Sequence, residues 1–315
     1  MTRSADRAFA VLVLLALTSS AILMTLLGTL LPRADELFTR GTAQTADIVA
    51  VLVLLLAFGG IALGLVTLFR QLLATVALIR TLLSQRIATS AVVADLAAQL
   101  ELSGRVDVVR DVRPFSFCYW FLRPRICLST GLVGRLEADE LRAVLLHERY
   151  HLRHRDPLRL VIARYFAAGL YVVPVVEELL QYYTVQKEIA ADQDAVRTAG
   201  GLRALAAALY KVLPDADDVS LGLLVPVGSL SVTEARIDQL VDGRAVPLVL
   251  SRSGVTLSGG ALAAAMVLAL SQAGLQTLDP VTPLVALLSF VGPASLLSIA
   301  AVTGGLQQLR LVAQR

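Results

Sequence analysis

The sequence predicts a mostly α-helical membrane protein, with four transmembrane helices in two pairs around a cytoplasmic α+β domain. Three observations predict it. First, 56% of the 315 residues are hydrophobic and only 17% are charged, against about 25% charged in ordinary soluble domains. Mean hydropathy is +0.72, more apolar surface than one soluble core hides, and disorder is excluded by the same balance. Second, the charges are unevenly spread: residues 1–69 hold eight and residues 254–315 hold three, while 42 of the 184 residues in 70–253 are charged. Third, the apolar ends are unbroken over membrane-spanning lengths.

Residues 8–31 are uncharged and mostly aliphatic, and residues 48–69 form a second such run. A span needs roughly 20 residues, so 8–69 is expected to be the first transmembrane pair. A signal peptide is the alternative for the first run. That run exceeds the usual apolar core of about 7–15 residues, and no small-x-small cleavage site follows at Leu31–Asp35, so a retained helix is expected. Residues 254–278 and 281–309 are two more uncharged stretches separated by Asp279-Pro280, a turn signal. They make 254–309 the second pair.

Arginine placement sets the orientation. The Asp279-Pro280 turn carries no basic residue, whereas its flanks carry Arg244 and Arg252 on one side and Arg310 and Arg315 on the other. Arg70, Arg80 and Arg86 follow the second span and agree. The expected location is the cytoplasmic membrane, multi-pass, with residues 70–253 and both termini in the cytoplasm. Arg is scattered without a long run, so direct nucleic-acid binding is not expected. Cys118 and Cys127 form no framework and are expected as reduced thiols.

Within 70–253, residues 71–103 read as helix ended by Ser103-Gly104. Val106–Val109 and Arg125–Leu128 read as short strands, and Pro114 and Pro124 confine the aromatic stretch Phe115–Phe121 to an edge or loop. Glu137–Arg153 is a helix with an acidic start, apolar positions at Leu141, Val144 and Leu145, and a basic end. Residues 186–199 are a second helix, ended by Gly200-Gly201, and Leu202–Leu213 a third. Ser231-Val-Thr-Glu234 is a capping box opening a fourth, to Val241.

All three histidines of the chain, His147, His151 and His154, fall within eight residues. His147-Glu148-Arg149-Tyr150-His151 is an HExxH pattern in mid-helix. A spacing of four places both imidazoles on one face, one turn apart, able to grip one Zn²⁺ per chain. Glu148 lies beside the metal as the candidate general base on zinc-bound water. Open catalytic zinc takes three protein ligands. The next cytoplasmic helix carries Glu188-Ile-Ala-Ala-Asp192, so Glu188 is the expected third ligand, and Asp192, one turn on, is expected to accept the free N–H of a ligand histidine. His154 and Asp156 are read as helix-end residues, with His154 and Arg155 favouring the C-terminal dipole. Tyr182, Tyr183 and Tyr210 are unranked candidates for an oxyanion-stabilising group.

The 36 residues 152–187 include the apolar stretch Tyr165–Val176. One crossing would put Glu188 about 30 Å from the histidines, and two crossings need about 40 residues plus a turn. Residues 158–182 are therefore expected either to lie in or dip into the membrane interface and return, or to form a plain buried core helix.

These residues also resemble a known family. His147-Glu-Arg-Tyr-His151-Leu-Arg-His154-Arg-Asp156 with Lys187-Glu188-Ile-Ala-Ala-Asp192-Gln-Asp-Ala-Val196 is similar to the BlaR/MecR family of membrane zinc peptidases (peptidase family M 56). Arg123–Val133, Glu140–Leu146 and the pair Arg236-Ile237 resemble the family's flanking segments. The HtpX and CAAX-protease family shares HExxH and a Glu-x-x-x-Asp motif, but the short spacing between motifs here favours the first family. The resemblance implies a zincin-like peptidase domain in an integral-membrane zinc endopeptidase acting on a protein or peptide substrate at the cytoplasmic membrane face. The regulatory form would inactivate a transcriptional repressor. The sequence stops soon after the fourth apolar stretch, so direct β-lactam sensing is not expected.

Two other readings stand beside it: an HtpX-like quality-control protease for membrane proteins, and a non-enzymatic membrane receptor or scaffold with a structural metal. A structural site has no use for Glu148, which argues against the last. A transporter is disfavoured because no ionisable residue lies inside the four spans.

Overall fold

The computed structural model describes residues 3–40, 45–212, 236, 239 and 247–272. Its elements in chain order are helix α1 (Arg3–Arg40), α2 (Thr45–Leu83), strand β1 (Arg86–Ile87), α3 (Ala91–Gln99), β2 (Val106–Val109), β3 (Ser116–Tyr119) and β4 (Arg125–Ser129). There follow α4 (Thr130–Arg135), α5 (Ala138–His154), α6 (Asp156–Gly169), α7 (Val175–Ala199), α8 (Arg203–Val212) and α9 (Arg252–Gln272). The chain divides into two compact units.

One unit comprises Met1–Arg7, Arg70–Ile162 and Tyr183–Pro247. Its sheet has the order β1-β2-β4-β3, with β2 and β4 parallel and the outer pairs antiparallel. The proline-bounded aromatic stretch forms the edge strand β3, as its composition requires. Ser116 and Cys118 share one face of β3 and both reach Glu148 of α5. Phe117 and Tyr119, on the opposite face, pack with Ile79, Leu82 and Cys127. The main core joins Val93, Leu96, Leu100, Val106, Val108, Ile126, Leu128, Leu141, Leu145 and Leu146. It is the apolar stripe of α3 and α5 against the sheet. Cys118 and Cys127 are free thiols, as expected.

The helix expected over 71–103 is interrupted. Helix α2 ends at Leu83, and Arg86 and Ile87 pair with Val109 and Val108 of β2. Arg86 also meets Asp107 at 2.7 Å, and Ser90 caps the restarted helix α3 by accepting from Val93 N. The break follows from a partner far along the chain that periodicity alone does not reveal. The expected helix ending at Val241 lies outside the described residues except for Arg236 and Gln239, which are helical.

The second unit comprises Ala8–Phe69, Ala163–Tyr182 and the stretch beginning at Leu248. Among the described residues two helices are long and apolar enough to cross a membrane, over Ser4–Leu31 and Val51–Leu83. The apolar run of α9, Arg252–Leu268, is shorter. The expected fourth span, 281–309, and the end of the third lie outside the described residues. Residues 158–182, expected as a returning or core segment, fall in two helices, α6 and α7, joined through residues 170–174, and α7 continues unbroken through the helix expected over 186–199.

Asp107, 1% exposed, is the polar tie of the sheet. It accepts from Arg125 Nε at 2.6 Å and Nη2 at 2.9 Å, and from the Tyr119 hydroxyl. Burial pushes its pKa up, but the hydrogen bonds from Arg125 and Tyr119 outweigh burial and hold it below the ordinary carboxylate value. A depressed folded pKa gives stability that is present above the unfolded value of about 3.9 and is lost as pH falls below it. Asp107→Ala is expected to destabilise this unit by about 3 kcal/mol, the low end for breaking a buried pair because both arginines keep solvent contact. Thermal unfolding between pH 7 and 3 is the check: the variant should lose part of the wild-type acid dependence as well as Tm.

Candidate metal centre

Helix α5 is built to hold its histidines still. Its start is capped by Glu140, whose carboxylate accepts from Glu137 N at 2.9 Å, and its apolar stripe is sunk in the core. His147, Glu148 and His151 are 8%, 5% and 7% exposed. The helix ends at Arg155, which adopts the left-handed conformation with φ of 53°. This cap reverses the chain tightly, so Asp156 at the start of α6 folds back against α5.

The second face of the centre comes from α7. Glu188 Oε2 lies 3.4 Å from His147 Nε2 and 3.7 Å from His151 Nε2, and the two Nε2 atoms are 3.0 Å apart. His147, His151 and Glu188 thus converge as a possible metal-holding group. A tetrahedral zinc with ligands at about 2.0–2.1 Å separates its ligand atoms by about 3.3–3.4 Å, which the observed edges bracket.

The donor chemistry fits as well. His147 Nδ1 meets Asp192 Oδ1 at 2.8 Å, and His151 Nδ1 meets Asp156 Oδ2 at 2.6 Å. Each carboxylate accepts a hydrogen bond from an Nδ1–H, which leaves the Nε2 of the neutral ring a lone pair turned toward Glu188. Three lone-pair donors aimed at one point call for a cation, and the electrostatics say the same. Burial opposes charging His151, yet Glu188 and the hydrogen bond with Asp156 push its pKa up to about 10. His147 is raised too, its burial outweighed by Asp192. Burial favours a neutral Glu188, but Lys187 and His151 hold it well below the ordinary carboxylate range.

Sequence reasoning singled out His147, His151, Glu188, Glu148 and Asp192; the structure brings His147, His151, Glu188 and Asp192 together, and Glu148 adjoins His147 along α5. It also brings in residues that reasoning missed. Asp156, read from the sequence as a helix-end residue, is 3% exposed and holds His151 as Asp192 holds His147. Its place five residues after His151, beyond a left-handed cap, gives no periodic signal. Arg236 grips Asp192 with Nε at 2.7 Å and Nη2 at 2.8 Å, and its Nη1 lies 3.9 Å from Glu188. The sequence marked Arg236 only through the family resemblance. Lys187 Nζ donates to Glu188 Oε1 at 2.9 Å.

Ser116 Oγ donates to Glu148 Oε1 at 2.8 Å, and Cys118 Sγ approaches the Glu148 carbonyl at 3.2 Å. Burial and the nearby Glu148 push the Cys118 thiol well above its usual pKa, which keeps it protonated. Of the tyrosine candidates, Tyr183 is fully buried and turns its hydroxyl to Asp156 at 3.4 Å, and Tyr210 is 81% exposed. His154 stacks on Tyr150 and bonds its carbonyl, away from the converging trio.

Comparison with known proteins bears on this arrangement. Residues 34–239 match the family model described as BlaR1 peptidase M56. The chain is 31% identical over 123 residues to "Protease HtpX homolog 1" of Streptomyces coelicolor, covering 29% of this chain and 40% of the relative. It is 28% identical over 112 residues to "Protease HtpX homolog" of Methanothermobacter thermautotrophicus, covering 28% of this chain and 43% of the relative. The chain therefore spans less than half the length of these relatives. A family model that matches most of the chain, over the segment holding every residue of the converging cluster, shows that this chain belongs to the BlaR1-type peptidase family, related to HtpX proteases.

Proposed function

We propose that the chain is an integral-membrane zinc endopeptidase that cuts a protein substrate at the cytoplasmic face of the cell membrane. The observation that carries this reading is the convergence of His147 and His151 of α5 with Glu188 of α7, with Glu148 next to His147 along α5. When bound, zinc supplies Lewis acidity toward the scissile carbonyl and acidifies a water. His147, His151 and Glu188 hold the ion. Asp192 and Asp156 fix the tautomers and ring planes of the two histidines, and Arg236 fixes Asp192. Glu148 takes the proton of the attacking water and passes it to the leaving amine. Ser116 occupies one oxygen of that carboxylate and leaves the other for the water.

The cytoplasmic orientation rests on arginine placement around the apolar runs. The resemblance in motifs supports a regulatory substrate, a transcriptional repressor, ahead of a quality-control one. A non-enzymatic scaffold leaves Glu148 without a task.

The purified protein is expected to hold one zinc per chain by metal analysis. His147→Ala, His151→Ala and Glu188→Ala should each lose most of it, whereas Asp156→Ala should weaken affinity about 10–100-fold, as such supporting carboxylates do. Metal retained at wild-type level in all three ligand variants would falsify the ligand assignment.

Glu148→Gln is expected to keep the zinc and lose about 10²–10⁴-fold in peptide cleavage, the usual worth of a general base. The amide matches the carboxylate in size but accepts no proton. Cleavage within tenfold of wild type would refute its role.

Reporter fusions after residues 90 and 200 should read cytoplasmic, and one within 36–44 external. Opposite readings at 145 and 200 in a zinc-loaded protein would remove Glu188 from the ligand set, because ligands must lie about 2 Å from one ion.

A further inference from the structure

The hairpin of α6 and α7 has no part in the chemistry over residues 163–182, yet this stretch belongs to the apolar unit. Its partners there are two apolar helices, and each partner serves as a depth scale. On α2 the uncharged run ends at Arg70. Gly64 lies against Tyr165: a Cβ on Gly64 would meet the Tyr165 carbonyl at 3.2 Å. Gly60 lies against Gly169, where a Cβ would fall 2.5 Å from the Gly169 carbonyl. The Tyr171 hydroxyl donates to the Leu56 carbonyl at 3.3 Å. At 1.5 Å per residue these contacts lie about 9, 15 and 21 Å beyond Arg70.

Helix α9 gives a second scale. Glu178 accepts from Ser251 N at 2.9 Å, next to Arg252. Val175 N donates to Ser258 Oγ at 3.1 Å, about 9 Å further along. Val172 packs beyond it in a cluster that includes Leu26, Leu54, Ala261 and Leu268. Both scales order the hairpin alike, with its base at the charged ends and its tip deep among the apolar runs.

We infer that residues 163–182 form a re-entrant hairpin that enters the hydrocarbon of the bilayer from the charged end of α2 and turns back about 20 Å in, two-thirds of a core of about 30 Å. Backbone polar groups at that depth must be satisfied within the protein. Several groups at the turn meet this demand. Pro174 has no N–H, Val173 N bonds Leu170 O at 2.8 Å, and the N-terminal amide of α7 at Val175 is capped by a side chain of a neighbouring helix. Gly60 and Gly64, four residues apart, supply the close backbone approach that packs helices where the solvent is lipid. Arg164 and Glu177, of opposite charge, fall nearer the base of the hairpin than its tip. The alternative, a core helix of a water-facing domain, leaves unexplained why the tip packs among apolar runs of spanning length.

This inference rests on α2 crossing a membrane, so the experiment tests the two separately. Trp120, the single tryptophan, is replaced by Phe. Phe166→Trp at the shallow flank, Tyr171→Trp near the tip, Phe58→Trp on α2 and Tyr210→Trp are then made singly in the full chain. Each is reconstituted into phosphatidylcholine vesicles with increasing fractions of mid-chain-brominated lipid, or exposed to aqueous iodide. Phe58 is 50% exposed and its position reports α2.

Bromolipid should quench the indole at positions 166 and 171 as it quenches the one at position 58, and iodide should quench position 210 alone. If position 58 is quenched by bromolipid but 166 and 171 respond to iodide or to neither, the hairpin is not in lipid, although α2 is. If position 58 is not quenched by bromolipid, the membrane reading of α2 fails and the hairpin inference falls with it. Two hairpin positions guard against one variant failing to fold, since either alone gives the outcome.

Discussion

The contact between His147 and Asp192 is the interaction on which the candidate metal centre depends. Its partners are 45 residues apart in sequence, and Asp192 is fully buried. A carboxylate at zero exposure is costly unless every lone pair is used and its charge is matched. Here His147 uses one oxygen and the Arg236 guanidinium spans both. That arrangement joins three segments at one point: α5, α7 and the region of Arg236. With α7 pinned at Asp192, Glu188 one turn earlier is carried to the two Nε2 atoms. The convergence of three candidate ligand atoms thus follows from one satisfied buried charge.

A second buried carboxylate does the same at His151. The left-handed cap at Arg155 turns the chain so sharply that the first residue of α6 becomes the partner of the histidine one turn before the helix end. Tyr183, on the returning arm of the hairpin, closes over Asp156. The hairpin therefore does two jobs through its base: α6 begins with the carboxylate that orients His151, and α7 carries Glu188. Its remaining length is free to be apolar.

The sheet serves the site from the other side of α5. Because β3 is an edge strand, one of its faces is available to α5, and Ser116 and Cys118 meet Glu148 there. The opposite face closes a separate apolar cluster, while Asp107 ties β1, β2, β3 and β4 together through Arg86, Tyr119 and Arg125. A strand anchored this way holds the candidate base in one orientation, a condition of general-base chemistry.

Much of the site was legible in the sequence because its signals are local. Two histidines four apart on a helix share a face whatever surrounds them, and so do Glu188 and Asp192. Unbroken apolar runs declare spanning length, and prolines on both sides of Phe115–Phe121 declare an edge. What tertiary structure alone decided are the partnerships between distant residues: Asp156 with His151 across a left-handed turn, Arg236 with Asp192, Ser116 with Glu148, and Arg86 with Asp107 at the break after α2. No periodicity encodes these, since each depends on which buried charge or lone pair is left needing a partner once the helices have packed. For the same reason the stretch 152–187 could be read only as not crossing the membrane once, either dipping in and returning or forming a buried core helix. That it returns as a hairpin packed on Gly60 and Gly64 was settled by the close fit of backbones, which residue types permit but do not specify.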